Sequence, residues 1–238
     1  MRTTVIAEPD NPGWKSLCAV GGIAALVAIL IAPAEMVISL LPEVQRVTTS
    51  TVTVADWFTL FQNHWYLGLR NLGLLNLAGA ALLAPAILAV WFVLRRENEA
   101  YATLGTILFF VGIAVYIAGN RGFPMLALSH QYASATTDAE RSLIAAAGQA
   151  MLAEGQSRSG VLVIEFACLM ISAVMLRGTV FSKATACAGM LGNGLMMIVE
   201  IAFLPPRGVG MIVAAAGGLA LMIWYLLIGR RLLQLRRL

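Results

Sequence analysis

Three glutamates lie inside long apolar runs of the sequence: Glu35, Glu165 and Glu200. A charged carboxylate at the centre of a membrane helix costs about 2.5–3.5 kcal/mol, so each of these should have a partner or carry a proton. At about 1.5 Å per residue, each glutamate lies roughly 6–9 Å from the outer end of its run, as the runs are oriented below. Intramembrane carboxylates at a common depth are candidates for binding a polar ligand.

Basic and amide side chains are expected near the same depth. Asn76 lies early in the second apolar run, Arg70 precedes that run, and Asn120 and Arg121 follow the third. The sequence therefore predicts an outward-facing polar pocket, whose candidate ligand-binding residues are Glu35, Arg70, Asn76, Asn120, Arg121, Glu165 and Glu200. The alternative is that these residues form structural ion pairs and snorkelling ends that hold the helices in register.

The two histidines, His64 and His130, both fall on the predicted outer side. Together with the carboxylates they could supply ligands for a zinc-type site, as in some intramembrane hydrolases. The sequence has no His-Glu-x-x-His motif, and histidines satisfied by water or backbone remain the alternative. It also has no Gly-x-Ser-x-Gly, P-loop or dinucleotide fingerprint. No catalytic residue, metal ligand or cofactor is therefore assigned.

The composition is that of a membrane protein. The 238 residues are 60% hydrophobic and only 12% charged, with a mean hydropathy of +0.84. A soluble domain averages about 25% charged residues, so lipid must be the solvent for much of this surface. The net charge of +4 does not indicate nucleic-acid binding, because the basic residues lie mostly at the ends of apolar runs. Cys18, Cys168 and Cys187 lie inside apolar runs and are expected to be small buried hydrophobes.

Six apolar runs are long enough to cross a bilayer at roughly 20 residues each. They are Leu17–Leu41, Leu72–Leu94, Ala102–Ala118 (with an extension to Leu128 left open), Val161–Leu176, Ala184–Leu204 and Val209–Ile228. The length leaves no room for a separate soluble domain. The sequence therefore predicts an all-α, polytopic membrane helix bundle that forms a single six-span domain over residues 1–238.

Two short amphipathic helices are predicted between the spans. Thr53–Asp56 and Thr137–Glu140 are capping boxes, the sequence signature of a helix start. The apolar face of the first helix comprises Val54, Trp57, Phe58, Phe61 and Trp65, and that of the second comprises Leu143, Ile144, Ala147 and Met151. These faces either lie in the headgroup layer or pack on the bundle.

The basic residues orient the bundle. With six spans both termini lie on one side, and that side carries ten of the sixteen Lys and Arg residues, against six on the other. The positive-inside rule then places both termini in the cytoplasm and predicts a multi-pass protein of the plasma membrane. Both amphipathic helices and the stretch Asn120–Gly160 would face outside.

Several segments resemble a known family. They include Ala-Leu-Ser-His-Gln-Tyr-Ala at 127–133, Ala-Thr-Thr-Asp-Ala-Glu-Arg at 135–141, Ala-Ala-Gly-Gln-Ala at 146–150, Val-Phe-Ser-Lys-Ala-Thr-Ala at 180–186 and the tail from Ile223 to Leu232. Together they look like a widespread family of prokaryotic six-helix membrane proteins that is catalogued only as a domain of unknown function. The resemblance implies six spans in one domain, and it implies no reaction.

Three functions are consistent with these patterns. The first is binding or movement of a small molecule or lipid in the outer pocket, with Tyr132–Ala153 as a cover. The second is an intramembrane metal-dependent hydrolase that uses the histidines and glutamates. The third is a structural or accessory membrane subunit without a ligand. The lipid bilayer is the one partner that all three require, and the sequence predicts no oligomeric state.

Overall fold

The computed structural model describes residues 12–47, 52–154, 158–202 and 208–237. Within these ranges the chain is helical and contains no strand. The helices in chain order are α1 (Pro12–Ala28), α2 (Ile31–Ser39), α3 (Pro42–Arg46), α4 (Val54–Asn63), α5 (Trp65–Asn71), α6 (Leu74–Ala118), α7 (Gly122–Ser134), α8 (Asp138–Glu154), α9 (Arg158–Arg177), α10 (Lys183–Ile201) and α11 (Val209–Leu235).

Five segments of the described chain are long and apolar enough to cross a membrane. They are Gly13–Ser39, Leu74–Ser134, Asp138–Arg177, Lys183–Ile201 and Val209–Leu235. The all-α fold is therefore confirmed, and five such helices indicate a multi-pass membrane protein. Leu204, the predicted end of the fifth span, lies outside the described residues.

The helix α6 folds back on itself at Asn98. The backbone of Asn98 is non-helical, with φ −157° and ψ 92°, and its Oδ1 accepts a hydrogen bond from the amide of Tyr101 at 3.3 Å. Asn98 thus caps the helix that follows it. The indole of Trp91 donates to the hydroxyl of Thr103 at 3.0 Å. Twelve residues of straight helix would cover about 18 Å, so residues 74–97 and 99–118 form a hairpin.

Two of the predicted apolar runs are interrupted. The first is not one helix, because α1 ends at Ala28 and α2 begins at Ile31. Pro33 has no N–H to donate to the carbonyl four residues earlier, which explains a break just before it. The third predicted run ends with α6 at Ala118, and α7 begins separately at Gly122, so the helix does not continue unbroken to Leu128.

Contacts between the helices divide the chain into two compact units. The first unit comprises Met1–Leu30, Ala80–Gly112 and Leu162–Leu238, and the second comprises Ile31–Gly79 and Ile113–Val161, in each case as far as these residues are described. That residues 1–238 form a single domain stays a prediction.

Small residues let the helices of the first unit approach closely. A Cβ built on Gly22 of α1 would lie 3.0 Å from the carbonyl oxygen of Gly229 in α11, and one built on Gly229 would lie 2.9 Å from that of Gly22. Similarly, a Cβ on Gly21 would lie 2.7 Å from the carbonyl oxygen of Pro85 in α6. In a bilayer, helix association depends on such close packing, because lipid tails are as apolar as the side chains.

The second unit is built around an aromatic cluster. Phe58 and Phe61 of α4 are buried together with Val54, Leu69 of α5 and Met125 of α7. Both predicted capping boxes are confirmed. Thr53 and Asp56 make both reciprocal hydrogen bonds of such a box, and so do Thr137 and Glu140. Val54, Phe58 and Phe61, which belong to the predicted apolar face of α4, therefore pack on other helices. The helix ends at Asn63, so Trp65 does not share that face and is 57% exposed.

The packed face of α8 differs from the predicted one. Ile144, Ala145, Met151 and Leu152 pack on the aromatic cluster, and Leu143, which was predicted to belong to this face, is exposed. A Cβ on Gly148 of the same helix would lie 2.6 Å from Val54 and 2.8 Å from Phe58. The packed face of α8 therefore includes Gly148 and is rotated about the helix axis from the predicted face. The side chains of Val54 and Phe58 occupy the space where a side chain at Gly148 would lie. That α4 and α8 lie at the outer surface of the membrane stays a prediction.

Candidate functional site

Glu35 and Arg70 form an ion pair in the second unit. Arg70 lies near the end of α5, and its Nη2 contacts both the carboxylate and the backbone carbonyl of Glu35 in α2. Its Nη1 donates to Oδ1 of the neighbouring Asn71 at 2.7 Å. The side chain of Arg70 is 11% exposed and that of Glu35 is 24% exposed. The carboxylate is thus the more accessible partner.

Several polar atoms around this ion pair are buried without a hydrogen-bond partner. They are Oε1 of Glu35, Nε of Arg70 and Nδ2 of Asn71. A buried polar group without a partner costs about 1–3 kcal/mol. The partners of Glu35 and Arg70 therefore satisfy only part of the hydrogen-bonding capacity of the ion pair. We call Glu35, Arg70 and Asn71 the Arg70 cluster. Tyr116 is buried in the same unit.

The amide of Asn120 has a structural role in the second unit. Its Nδ2 donates to the carbonyl of Leu72 at 2.9 Å, and its Oδ1 accepts from the amide of Gly122 at 3.0 Å. These bonds tie the start of α7 to the residues that follow α5. Arg121 is half-buried immediately before α7, and Asn76 is exposed on α6. The structure thus brings Glu35 and Arg70 into direct contact and gives Asn120 to a helix junction.

Glu165 and Glu200 belong to the first unit. Glu165 of α9 is 6% exposed, and its Oε2 is buried without a hydrogen-bond partner. Glu200 of α10 is half-buried, and its charge reaches the carboxyl of Glu165. That the two carboxyl groups lie at a common depth stays a prediction.

Two polar residues of the first unit were not singled out from the sequence. Ser172 of α9 and Trp224 of α11 are buried, and the hydroxyl of the first and the indole N–H of the second lack partners. Both contact the same point, because a Cβ on Gly189 of α10 would lie 2.3 Å from Ser172 Oγ and 2.5 Å from Trp224 Nε1. Ser172 lies seven residues after Glu165, on the same face of α9, which is the signal that could have identified it.

The histidines of the proposed hydrolase do not meet a carboxylate cluster within the described residues. His64 joins α4 to α5 through its backbone, and its ring meets that of Tyr66 edge-on at 6.1 Å. His130 is exposed on α7. Among the residues that the structure describes, no three His, Cys, Asp or Glu side chains are grouped so that they could hold a metal ion.

Comparison with known proteins adds no family. No family model, no curated protein and no solved structure matches this chain. The class of protein is therefore defined by the fold alone, as a multi-pass helical membrane protein, and function is argued from the sites.

Proposed function

We propose that this chain is an integral membrane protein that binds or moves a small molecule or a lipid, and that the Arg70 cluster recognises an anionic group of that ligand. The observation that carries the proposal is the Glu35–Arg70 ion pair with its unpartnered buried donors, Arg70 Nε and Asn71 Nδ2. A guanidinium presents a planar set of donors that matches the oxygens of phosphate and carboxylate groups.

An anionic ligand would compete with Glu35 for Arg70. The carboxylate is the more exposed of the two partners, so it is the one that an entering anion can displace. Ligand oxygens would then accept from the two buried donors and recover part of the about 1–3 kcal/mol that each of them costs without a partner. Binding would therefore replace the carboxylate of Glu35 with the anionic group of the ligand, while Arg70 stays in place.

The proposal includes six spans, as the resemblance to a six-helix family implies, and it places both termini in the cytoplasm. The hairpin at Asn98 supports six, because residues 74–97 and 99–118 each have the length of a single span. The distribution of Lys and Arg supports the orientation. In that orientation the Arg70 cluster would face the outer side.

The test is native mass spectrometry of the purified full chain in detergent, with phosphatidylglycerol, phosphatidylcholine and inorganic phosphate as probes. We expect phosphatidylglycerol or phosphate to bind, and Arg70→Gln to abolish this binding. Arg141→Gln is the matched control, because Arg141 is an exposed arginine of the same unit. Glu35→Gln should bind the same probe at least as tightly as the wild type, since the competing charge is gone.

The opposite effects of the two substitutions separate recognition from loss of structure. If Arg70→Gln and Arg141→Gln weaken binding equally, the anion is held by general surface charge and the proposal is wrong. If no probe binds the folded wild type, the ion pair is structural and the chain is better described as an accessory subunit. Phosphate that competes with the lipid would identify the headgroup as the recognised part.

A further inference from the structure

The guanidinium of Arg95 lies over three aromatic rings in the first unit. Its Cζ is 4.6 Å from the ring centroid of Phe92, 5.3 Å from that of Trp91 and 5.6 Å from that of Trp14. All three distances are within the about 6 Å over which a cation is attracted to an aromatic face. Trp91 and Phe92 belong to the preceding turn of α6, and Trp14 belongs to α1. We call these four residues the Arg95 site.

The aromatic rings fix the position of the cation. The ring of Trp14 stacks on that of Phe92, with centroids 3.7 Å apart and an interplanar angle of 8°. The indole of Trp91 donates to the hydroxyl of Thr103 at 3.0 Å. Each ring is therefore held by a second element, and Arg95 has little conformational freedom left to lose when it binds a ligand.

The N–H groups of Arg95 remain available to a ligand. In the part of the chain that the structure describes, Arg95 forms no ion pair and no hydrogen bond. Its side chain is half-buried, and its nitrogens are not among the buried atoms that lack a partner, so they lie at the surface. Because the donors of a guanidinium lie in one plane, they fit two oxygens of a phosphate group at once.

The Arg95 site lies where an apolar helix arm ends. Side chains of a helix lean toward its N-terminal end, and Arg95 accordingly reaches back over Trp91 and Phe92 instead of extending away from the apolar residues. Tryptophans at the end of an apolar run lie at the level of the lipid headgroups. The rings therefore hold the guanidinium at the depth of the phosphate layer.

An exposed apolar surface continues from Arg95 along the same helix. Ala81, Leu88 and Arg95 recur at every seventh residue, so they share one face of α6. Ala81 and Leu88 are both exposed. A lipid whose headgroup contacts Arg95 can thus lay an acyl chain along this face, whereas a free anion would leave the apolar surface unused.

We propose that the Arg95 site binds the phosphate group of an anionic phospholipid of the surrounding bilayer. The guanidinium donates to the phosphate oxygens, and an acyl chain of the lipid lies over Leu88. Since no carboxylate of the described residues pairs with Arg95, the charge of the site favours a lipid with a net negative charge. The lipid would bind where α1 and the α6 hairpin meet, and would thereby stabilise their contact.

This inference is independent of the anion site proposed above. The Arg95 site belongs to the first unit, and it includes no residue of the Arg70 cluster, which belongs to the second. The bilayer presents its lipids in large excess, so weak binding is enough to fill the site. The site is therefore measured in vesicles and not in detergent.

The test is tryptophan fluorescence of the full chain in vesicles of phosphatidylglycerol and phosphatidylcholine, in which one lipid or the other carries bromine in the upper part of its acyl chains. Trp57→Phe and Trp65→Phe remove the indoles of the second unit. Trp224 is 1% exposed and out of reach of the lipid, so Trp14 and Trp91 report the quenching. We expect phosphatidylglycerol to be enriched around them by about fivefold, the effect of one cation near a membrane surface.

Arg95→Gln should remove this enrichment, and Arg230→Gln is the matched control. The amide of Val180 donates to the carboxylate of Glu97 at 3.0 Å, and Nε of Arg231 donates to the carbonyl of Val180 at 2.7 Å. The exposed Arg230 therefore lies at the same end of the first unit as the hairpin turn. Its replacement changes the net charge equally, and the enrichment should persist.

Two further variants separate recognition from charge and from the other anion site. Arg95→Lys keeps the charge but lacks the planar set of donors, so it should retain only part of the enrichment even if Arg95→Gln does not fold. Arg70→Gln should leave the enrichment unchanged. A decrease in Arg70→Gln equal to that in Arg95→Gln would assign the effect to the Arg70 cluster and overturn this proposal alone.

Four other results would overturn the proposal. They are a wild type without enrichment, enrichment that survives Arg95→Gln, equal losses in Arg95→Gln and Arg230→Gln, and full enrichment in Arg95→Lys. Inorganic phosphate, added at constant ionic strength, should leave the enrichment in place. If it removes the enrichment, the site holds free phosphate and the assignment to a lipid is wrong.

Discussion

The indole of Trp91 donates a hydrogen bond to the hydroxyl of Thr103 at 3.0 Å, although twelve residues separate the two side chains. This bond fastens the two arms of the α6 hairpin just beyond the turn at Asn98. Arg95, between the turn and Trp91, lies over the rings of Trp14, Trp91 and Phe92 at 4.6–5.6 Å. A cation held over aromatic rings is typical of a helix end at the membrane surface.

The hairpin predicts that its turn faces the cytoplasm. In a Cys187→Ala background, Glu99→Cys should react with a membrane-impermeant maleimide only after the cells are opened. Arg141→Cys, on the predicted outer side, should react in intact cells. The reason is that residues 74–97 bring the chain from the outer side to the side of the termini at Asn98, and residues 99–118 take it back to the outer side. Labelling of both positions under the same condition would contradict the six-span topology, and mass spectrometry of the labelled chain reads the result.

Gly189 predicts a large difference between two similar substitutions in α10. Gly189→Ala would force a methyl group to within 2.3 Å of Ser172 and 2.5 Å of Trp224, and overpacking of this kind costs about 1–3 kcal/mol. Gly194→Ala is the matched control, because its Cβ would be 4.0 Å from Leu169. It should be neutral or stabilising by up to about 1 kcal/mol, since alanine favours a helix. Thermal unfolding in detergent measures both, and equal losses would refute the packing argument.

The capping box of α4 predicts a pH-dependent helix start. Hydrogen bonds from the amide of Thr53, and then from its hydroxyl, lower the pKa of Asp56. A lowered pKa in the folded state contributes stability above the ordinary carboxyl range of about 3.9, and this stability is lost as the pH falls through the lowered pKa. Amide hydrogen exchange in the first turn of α4 should therefore lose protection in acid.

The control for this pH effect is Asp56→Asn, which removes the titrating group but keeps the size of the side chain. Its amide exchange, corrected for the intrinsic effect of pH, should be less protected at neutral pH and should not change further in acid. Equal pH dependence in the variant and the wild type would show that another group controls the start of the helix.

Local patterns in the sequence predicted more than distant ones. The capping boxes at Thr53 and Thr137 form as expected, because their partners are only three residues away. The ion pair between Glu35 and Arg70 was predictable because a buried carboxylate needs a cation and few cations lie at its depth. The pocket role of Asn120 stays a prediction, and its bond to the carbonyl of Leu72 was not foreseen, since the sequence does not reveal which carbonyls a nearby turn leaves without a donor.

Positions that depend on the shape of a neighbouring helix could not be read from the sequence. The packed face of α8 was predicted from its large side chains, whereas the structure centres it on Gly148, where Phe58 and Val54 need room. Ser172 and Trp224 likewise reach the same point of α10 only because Gly189 has no side chain there. In each case a glycine determines the contact, and a glycine carries no hydrophobic signal.

The reciprocal contact of Gly22 with Gly229 has a consequence for biosynthesis. These residues belong to the first and the last described helices, so the partner of α1 is synthesised after all the other described helices. The segments of the second unit, which end at Val161, are all synthesised before α11. The helix α1 must therefore wait in the bilayer until α11 has been synthesised, and a nascent chain that stops before Gly229 leaves it without its docking surface.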